Sequence, residues 1–180
     1  MLADQDTSLR RGRLVHRLLQ SLPDLPPERR PEAGRRHLAR AGADFSESER
    51  EEMLAQVFKV MGDPRFAPLF APGSRAEVPI VGRLAGGKHG LLTVSGQVDR
   101  LAVTDKEVLI ADYKTNRPAP RRLDEVPPEY RRQLALYRAV LGRLYPGRVI
   151  RAALVWTDLP ELMEIPAARL DAELAPLAAA

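Results

Sequence analysis

Val108-Leu109-Ile110-Ala111-Asp112-Tyr113-Lys114-Thr115 is the stretch that decides the reading of this chain. A four-residue apolar run feeds directly into an acid, an aromatic ring and a lysine. Its length and branched residues predict a strand over 108–115. Strand side chains alternate faces, so Asp112 and Lys114 point to the same side. Upstream lies a second strand, Leu91–Val103, which contains Gly96-Gln97-Val98-Asp99-Arg100. Asp105-Lys106 is a tight connection between the two, and the resulting hairpin lets Asp99 sit beside Asp112. Taken alone, Asp99 reads equally well as a turn or cap residue. Asp112 and Lys114 alone read equally well as an ion pair on an exposed strand face. Their conjunction is what points to chemistry.

Two neighbouring carboxylates repel and raise each other's pKa unless a cation neutralises them. A divalent cation with oxygen ligands resolves this, and magnesium takes one or two protein carboxylates while leaving room for substrate phosphate. Such an ion polarises a phosphate and lowers the pKa of water. Lys114 is placed to orient that water or to stabilise charge as it develops.

Further out, residues 75–82 alternate at Ala76, Val78 and Ile80, predicting another strand, with Glu77 as a weaker acidic candidate. Gly86-Gly87-Lys88-His89-Gly90 reads as a turn, so the three strands form an antiparallel meander. A basic, Pro-rich loop over 116–128 leads into a long helix ending near Leu144. Gly147 and a strand at 149–156 follow, Pro160 breaks that strand, and an Ala- and Leu-rich segment closes the chain. Before the meander the pattern is helical. Residues 9–22 carry Leu14, Val15, Leu18, Leu19 and Leu22 at helical spacing, with Thr7 or Ser8 as cap and Pro23 as stop. A short helix is predicted over 32–41. Ser46-Glu47-Ser48-Glu49 has the form of a capping box before Met53, Leu54, Val57, Phe58 and Met61. Phe66, Leu69 and Phe70 fall on a loop or short turn leading to Gly73. The whole is an α/β pattern with a mixed sheet.

The chain has 180 residues, enough for one compact domain. We read it as a single domain: a helical part over 1–72, a sheet and helix over 73–160, and a closing segment over 161–180. No run approaches the apolar length needed to span a bilayer. The acidic first residues lack the order of a secretory leader, which predicts a cytoplasmic protein. There is no cysteine, which excludes disulfides, thiolate zinc sites and a cysteine-held iron–sulfur cluster. The net charge is +4, and only four of the 28 basic residues are lysines. An arginine-rich surface suits phosphate, although a GC-rich genome also favours arginine.

Gly96-Gln97-Val98-Asp99-Arg100, Asp112-Tyr113-Lys114-Thr115 and Gln133-Leu134-Ala135-Leu136-Tyr137, in this order, resemble the PD-(D/E)xK nucleases. More narrowly they resemble the RecB-like nuclease domains, and among those the C-terminal domain of AddA-type helicase–nuclease subunits. The resemblance implies a restriction-endonuclease-like core, with the sheet flanked by helices. It implies a Mg²⁺-dependent exonuclease for single-stranded DNA, with Mn²⁺ as an alternative ion, serving in double-strand break repair. It implies that His16 joins Asp99, Asp112 and the Tyr113 carbonyl as metal ligands, with Lys114 catalytic. Gln133, Tyr137, Arg100, Thr115 and Arg117 would line the DNA, with Arg121 and Arg122 nearby, and Glu77 is an additional acid. His37 and His89 match nothing in the pattern and read as surface residues. The implied partners are single-stranded DNA ends, a helicase region of the same parent chain and a second helicase–nuclease subunit, with no membrane involved. Two other readings compete: a catalytically silent DNA-binding or scaffolding module of the same fold, and a small-molecule phosphohydrolase.

Overall fold

The computed structural model describes residues 2–86, 90–115, 118–157 and 161–178, with side chains over 6–176 of those stretches. The described residues build a mixed sheet of five strands, ordered β1-β2-β3-β4-β5. These are β1 (Arg75–Ala85), β2 (Leu91–Val103), β3 (Glu107–Lys114), β4 (Val149–Trp156) and β5 (Glu161–Ile165). Only β3 and β4 pair in parallel; the other neighbours are antiparallel. The crossover between β3 and β4 is helix α4 (Pro128–Leu144), with Pro at its first turn, where a missing N–H costs nothing.

Three helices precede the sheet: α1 (Leu2–Ser21), α2 (Arg30–Ala41) and α3 (Glu47–Met61). The expected capping box is present at α3, where the Ser46 hydroxyl accepts from the Glu49 N–H and Glu49 accepts from the Ser46 N–H. A cap at Thr7 or Ser8 is not formed, because α1 is already helical from Leu2. Of the loop or short turn expected around Phe66, the turn is what forms, a kinked 3-10 segment over Pro64–Phe70. The closing segment resolves into β5, which pairs back on β4, and α5 (Ala167–Ala178). Pro160 and the turn around His89 lie outside the described residues.

Each face of the sheet carries its own core. On one side Leu18, Leu19, Met53, Val57 and Phe66 cover Leu109, Ala111, Ala153 and Val155. On the other, Leu134, Val140, Leu141 and Leu170 cover Val98, Val108, Ile110, Leu154 and Trp156. Parallel strands buried on both faces read as near-continuous apolar runs, which is why β3 and β4 are legible in sequence. Among the described residues no helix is long and apolar enough to cross a membrane.

β4 and β5 are tied by Arg151, whose Nε and Nη2 donate to Glu164 Oε1 and Oε2 at 2.8 and 2.9 Å. That hydrogen bonding holds the Glu164 carboxyl below its ordinary pKa. A lowered carboxyl pKa means stability present above the ordinary carboxylate range and lost as pH falls through it. Glu164→Gln is therefore expected to melt lower than the wild type near neutral pH, by at most about 1 kcal/mol. The difference should shrink in acid, below the ordinary glutamate range, as the folded-state carboxyl of Glu164 takes up its proton. Equal gaps at both pH values in calorimetric melts would remove this role.

Candidate active site

β2 and β3 pair from Val103–Val108 up to Arg100–Ala111 and stop there. The next positions in register are Asp99 and Asp112, so both acids stand where the two strands part. The N–H of Tyr113 does not continue the ladder toward β2; it donates to Asp99 Oδ2 at 2.6 Å. A second irregularity lies across β2. Ala76 pairs with Arg100 and Val78 with Val98, leaving Glu77 opposite Asp99 with φ 50°. A non-glycine residue in that region is strained. Val98 packs in the α4-side core. Arg100 points to the opposite side, so the faces of β2 switch at Asp99.

His16 reaches Asp99 from α1, its Nε2 standing 3.3 Å from Oδ1. Its ring meets the Tyr113 ring edge-to-face at 5.2 Å between centroids. α1 comes this close because Gly12, one turn before His16, has no side chain: a Cβ there would lie 3.0 Å from Thr115 Cγ2. The polar contact with Asp99 raises the imidazole's pKa above its ordinary value; burial opposes this, and the charges of Asp99, Glu77 and Asp112 add to it. Glu77 itself is exposed.

Asp112 is buried at 4 % exposure and ion-pairs with Lys114. Burial pushes its carboxyl above the ordinary range, while Lys114 pulls it back down. Lys114 Nζ also donates to Gln133 Oε1 at 3.0 Å and lies 4.0 Å from the centre of the Tyr130 ring. Gln133 Nε2 donates to the Tyr137 hydroxyl at 3.1 Å, which in turn accepts from the Gln97 N–H at 3.2 Å. A chain of contacts thus runs from the backbone of β2 through Tyr137 and Gln133 to the lysine. It depends on Gly96, where a Cβ would fall 2.8 and 2.9 Å from Tyr137 Cζ and Cε1. Gly96→Ala is expected to swing Tyr137 aside and cost about 1–3 kcal/mol. Adding Tyr137→Phe, which removes the most crowded atom, should recover part of that loss; strict additivity in chemical melts would contradict the arrangement.

Of the residues singled out from sequence, the fold brings together His16, Asp99, Asp112, Tyr113, Lys114, Gln133 and Tyr137. Thr115 lies over Gly12, and Glu77 stands across from Asp99. Arg100 departs from expectation: it is fully buried, so the phosphate contact anticipated for it is closed off. Arg117 lies outside the described residues. Arg122 is exposed and pairs with Asp124 at 3.6 Å. Arg121 lines a cavity of about 560 Å³ with Lys59, Arg65 and Glu161. Sequence reasoning passed over Gly12 and Tyr130, and noticed Gly96 only as part of a motif. Tyr130 had a signal, since it lies one helical turn before Gln133 on the same face of α4.

Among the described residues, no three His, Cys, Asp or Glu side chains already converge at metal-ligand distance. The donor chemistry nevertheless suits a hard or borderline cation: one imidazole and two carboxylates, with backbone oxygen close by. His16 Nε2 and Asp112 Oδ2 are buried, and each meets one charged partner: Asp99 Oδ1 at 3.3 Å for the imidazole and Lys114 Nζ for the carboxylate.

An acid pair and a lysine, set where adjacent strands of a helix-flanked mixed sheet part, define a nuclease-type α/β fold. The sequence profile of the PD-(D/E)XK nuclease superfamily matches residues 2–175, and the chain belongs to that superfamily. No curated protein matches the chain. Among solved structures, that of SSO0001 is similar at 16% identity and a TM-score of 0.38, over 87% of this chain and 72% of its own.

Proposed function

We propose that this chain is a metal-dependent deoxyribonuclease that hydrolyses DNA phosphodiesters, acting exonucleolytically on single strands. The observation that carries the reading is the meeting of two pairs, His16 with Asp99 and Lys114 with Asp112, at the point where β2 and β3 part. On this reading His16, Asp99, Asp112 and the Tyr113 carbonyl hold Mg²⁺, or Mn²⁺, which an imidazole suits better. When bound, the ion supplies polarisation of the phosphate and a lowered pKa for water. Lys114 orients the attacking water and offsets charge gathering on the phosphate. Gln133 and Tyr130 keep its ammonium in place, and Tyr137 keeps Gln133 in place. Glu77 adds negative charge beside His16, and Thr115 borders the path of the strand.

We further infer that the domain receives single-stranded ends from a helicase region of an AddA-type parent chain, working with a second helicase–nuclease subunit in double-strand break repair. The motif triplet alone supports this part. The test is degradation of an end-labelled single-stranded oligonucleotide with Mg²⁺, then with EDTA. Stepwise shortening only with the metal is the expected result. Tight oligonucleotide binding without cutting, in either metal and with the helicase region restored, would replace the proposal with a silent DNA-binding module.

A further inference from the structure

Arg100 is fully buried, yet it carries a full charge. Its guanidinium is spread over two stretches of chain, residues 20–24 and 69–74. Nε donates to Leu69 O at 3.0 Å and to Ser74 Oγ at 3.1 Å. Nη1 donates to Gln20 O at 3.0 Å. Nη2 donates to Asp24 Oδ1 and Ser74 Oγ, both at 2.7 Å. Its only ionic partner among the described residues, Asp24, has a side chain that is 57% exposed. A buried charge satisfied mainly by neutral oxygens is a poor way to stabilise a core, since a packed apolar residue does as well or better. What a guanidinium offers instead is a rigid planar fork that fixes several acceptors at once.

The acceptors are informative. Gln20 lies one helical turn beyond His16 on α1, and Arg100 directly follows Asp99 on β2. The fork therefore joins the helix that carries His16 to the strand that carries Asp99. It does so where β2 switches faces, opposite the strained backbone of Glu77.

We propose that Arg100 is a positioning residue. By fastening the last turn of α1 to β2, its buried fork sets the approach of His16 to Asp99. The inference rests on the nuclease reading only for the use made of that pair; the geometric claim stands by itself. Lysine cannot substitute, because a single ammonium cannot reproduce the five contacts that the planar fork makes with the two stretches.

The test compares wild type, Arg100→Lys and Leu170→Ala, the last a core truncation beneath α5 that lowers stability away from the site. The metal-free readout is the NMR cross-peak between the rings of His16 and Tyr113. The second readout is Mn²⁺ affinity by calorimetry. Arg100→Lys should lose the cross-peak and bind Mn²⁺ roughly 10–100-fold more weakly. Leu170→Ala should keep both while melting at lower temperature. If Arg100→Lys fails to fold, Ser74→Ala, which removes one shared acceptor and keeps the charge, should weaken the cross-peak and the affinity in the same direction. A cross-peak at wild-type intensity in whichever Arg100 or Ser74 variant folds overturns the proposal. So does its equal loss in Leu170→Ala, which would reduce Arg100 to general stability. If wild type binds no Mn²⁺ or cuts no DNA, the nuclease reading fails, and the ring cross-peak alone still decides the role of Arg100.

Discussion

Asp112→Asn should reduce DNA cleavage by roughly a thousandfold or more, about 4 kcal/mol of barrier, while leaving the chain folded. The two halves of that expectation share one cause. Asp112 is buried, and burial raises its pKa, so the folded protein already disfavours the carboxylate. An amide of the same shape relieves that cost. In metal-free buffer the variant should stay folded, because Lys114 keeps Gln133 Oε1 and the Tyr130 ring as partners. In activity it loses what made the buried charge worth keeping: an anionic oxygen beside Lys114, at the point where β2 and β3 part. Cutting at the wild-type rate would mean that the site has been wrongly assigned.

Lys114→Met is the companion case, and its stability cost should be the larger, because Asp112 is the more buried partner. Methionine keeps much of the stem and removes the ammonium. Asp112 then loses the only ion-pair partner it has among the described residues. Breaking a buried pair from one side strands the other charge, a cost of about 3–5 kcal/mol unless a proton is taken up. Cleavage should fall by roughly a hundredfold to a thousandfold. The double variant Asp112→Asn, Lys114→Met carries no stranded charge and should melt above Lys114→Met alone. Urea melts of the four proteins in the cycle check this, and a double variant less stable than Lys114→Met would contradict the asymmetry.

How much of this was legible in sequence differs from place to place. β3 was legible because its apolar run is unbroken until Asp112, and α3 because its cap is written in four residues. The acid pair followed from a short hairpin and the period of a strand. β5 was not legible: its five residues bury only Leu162 and Ile165, which neither alternate nor form a run. The start of α1 was missed because nothing in its first residues breaks a helix, so Thr7 and Ser8 read as caps without being needed as such.

The role of Arg100 was out of reach for a different reason. Its Gln20 acceptor lies 80 residues away in sequence, and strand alternation gave no warning that β2 changes faces at Asp99. The strained position falls on Glu77, a residue type that does not advertise a positive φ. The Gly96–Tyr137 contact was hidden likewise: the glycine and the tyrosine were each noticed within a motif, but nothing local says that one makes room for the other.

The Tyr113 N–H held by Asp99 means that the aspartate is also a wedge. Without its carboxylate, that N–H is free to seek the β2 backbone, and the two strands could zip further along their existing register. The gap in which the chemistry is proposed would then close. Loss of cleavage in an Asp99 variant thus has two meanings, a missing ligand or a shut cleft, and amide hydrogen exchange at Tyr113 tells them apart: protection kept without the carboxylate marks the shut cleft.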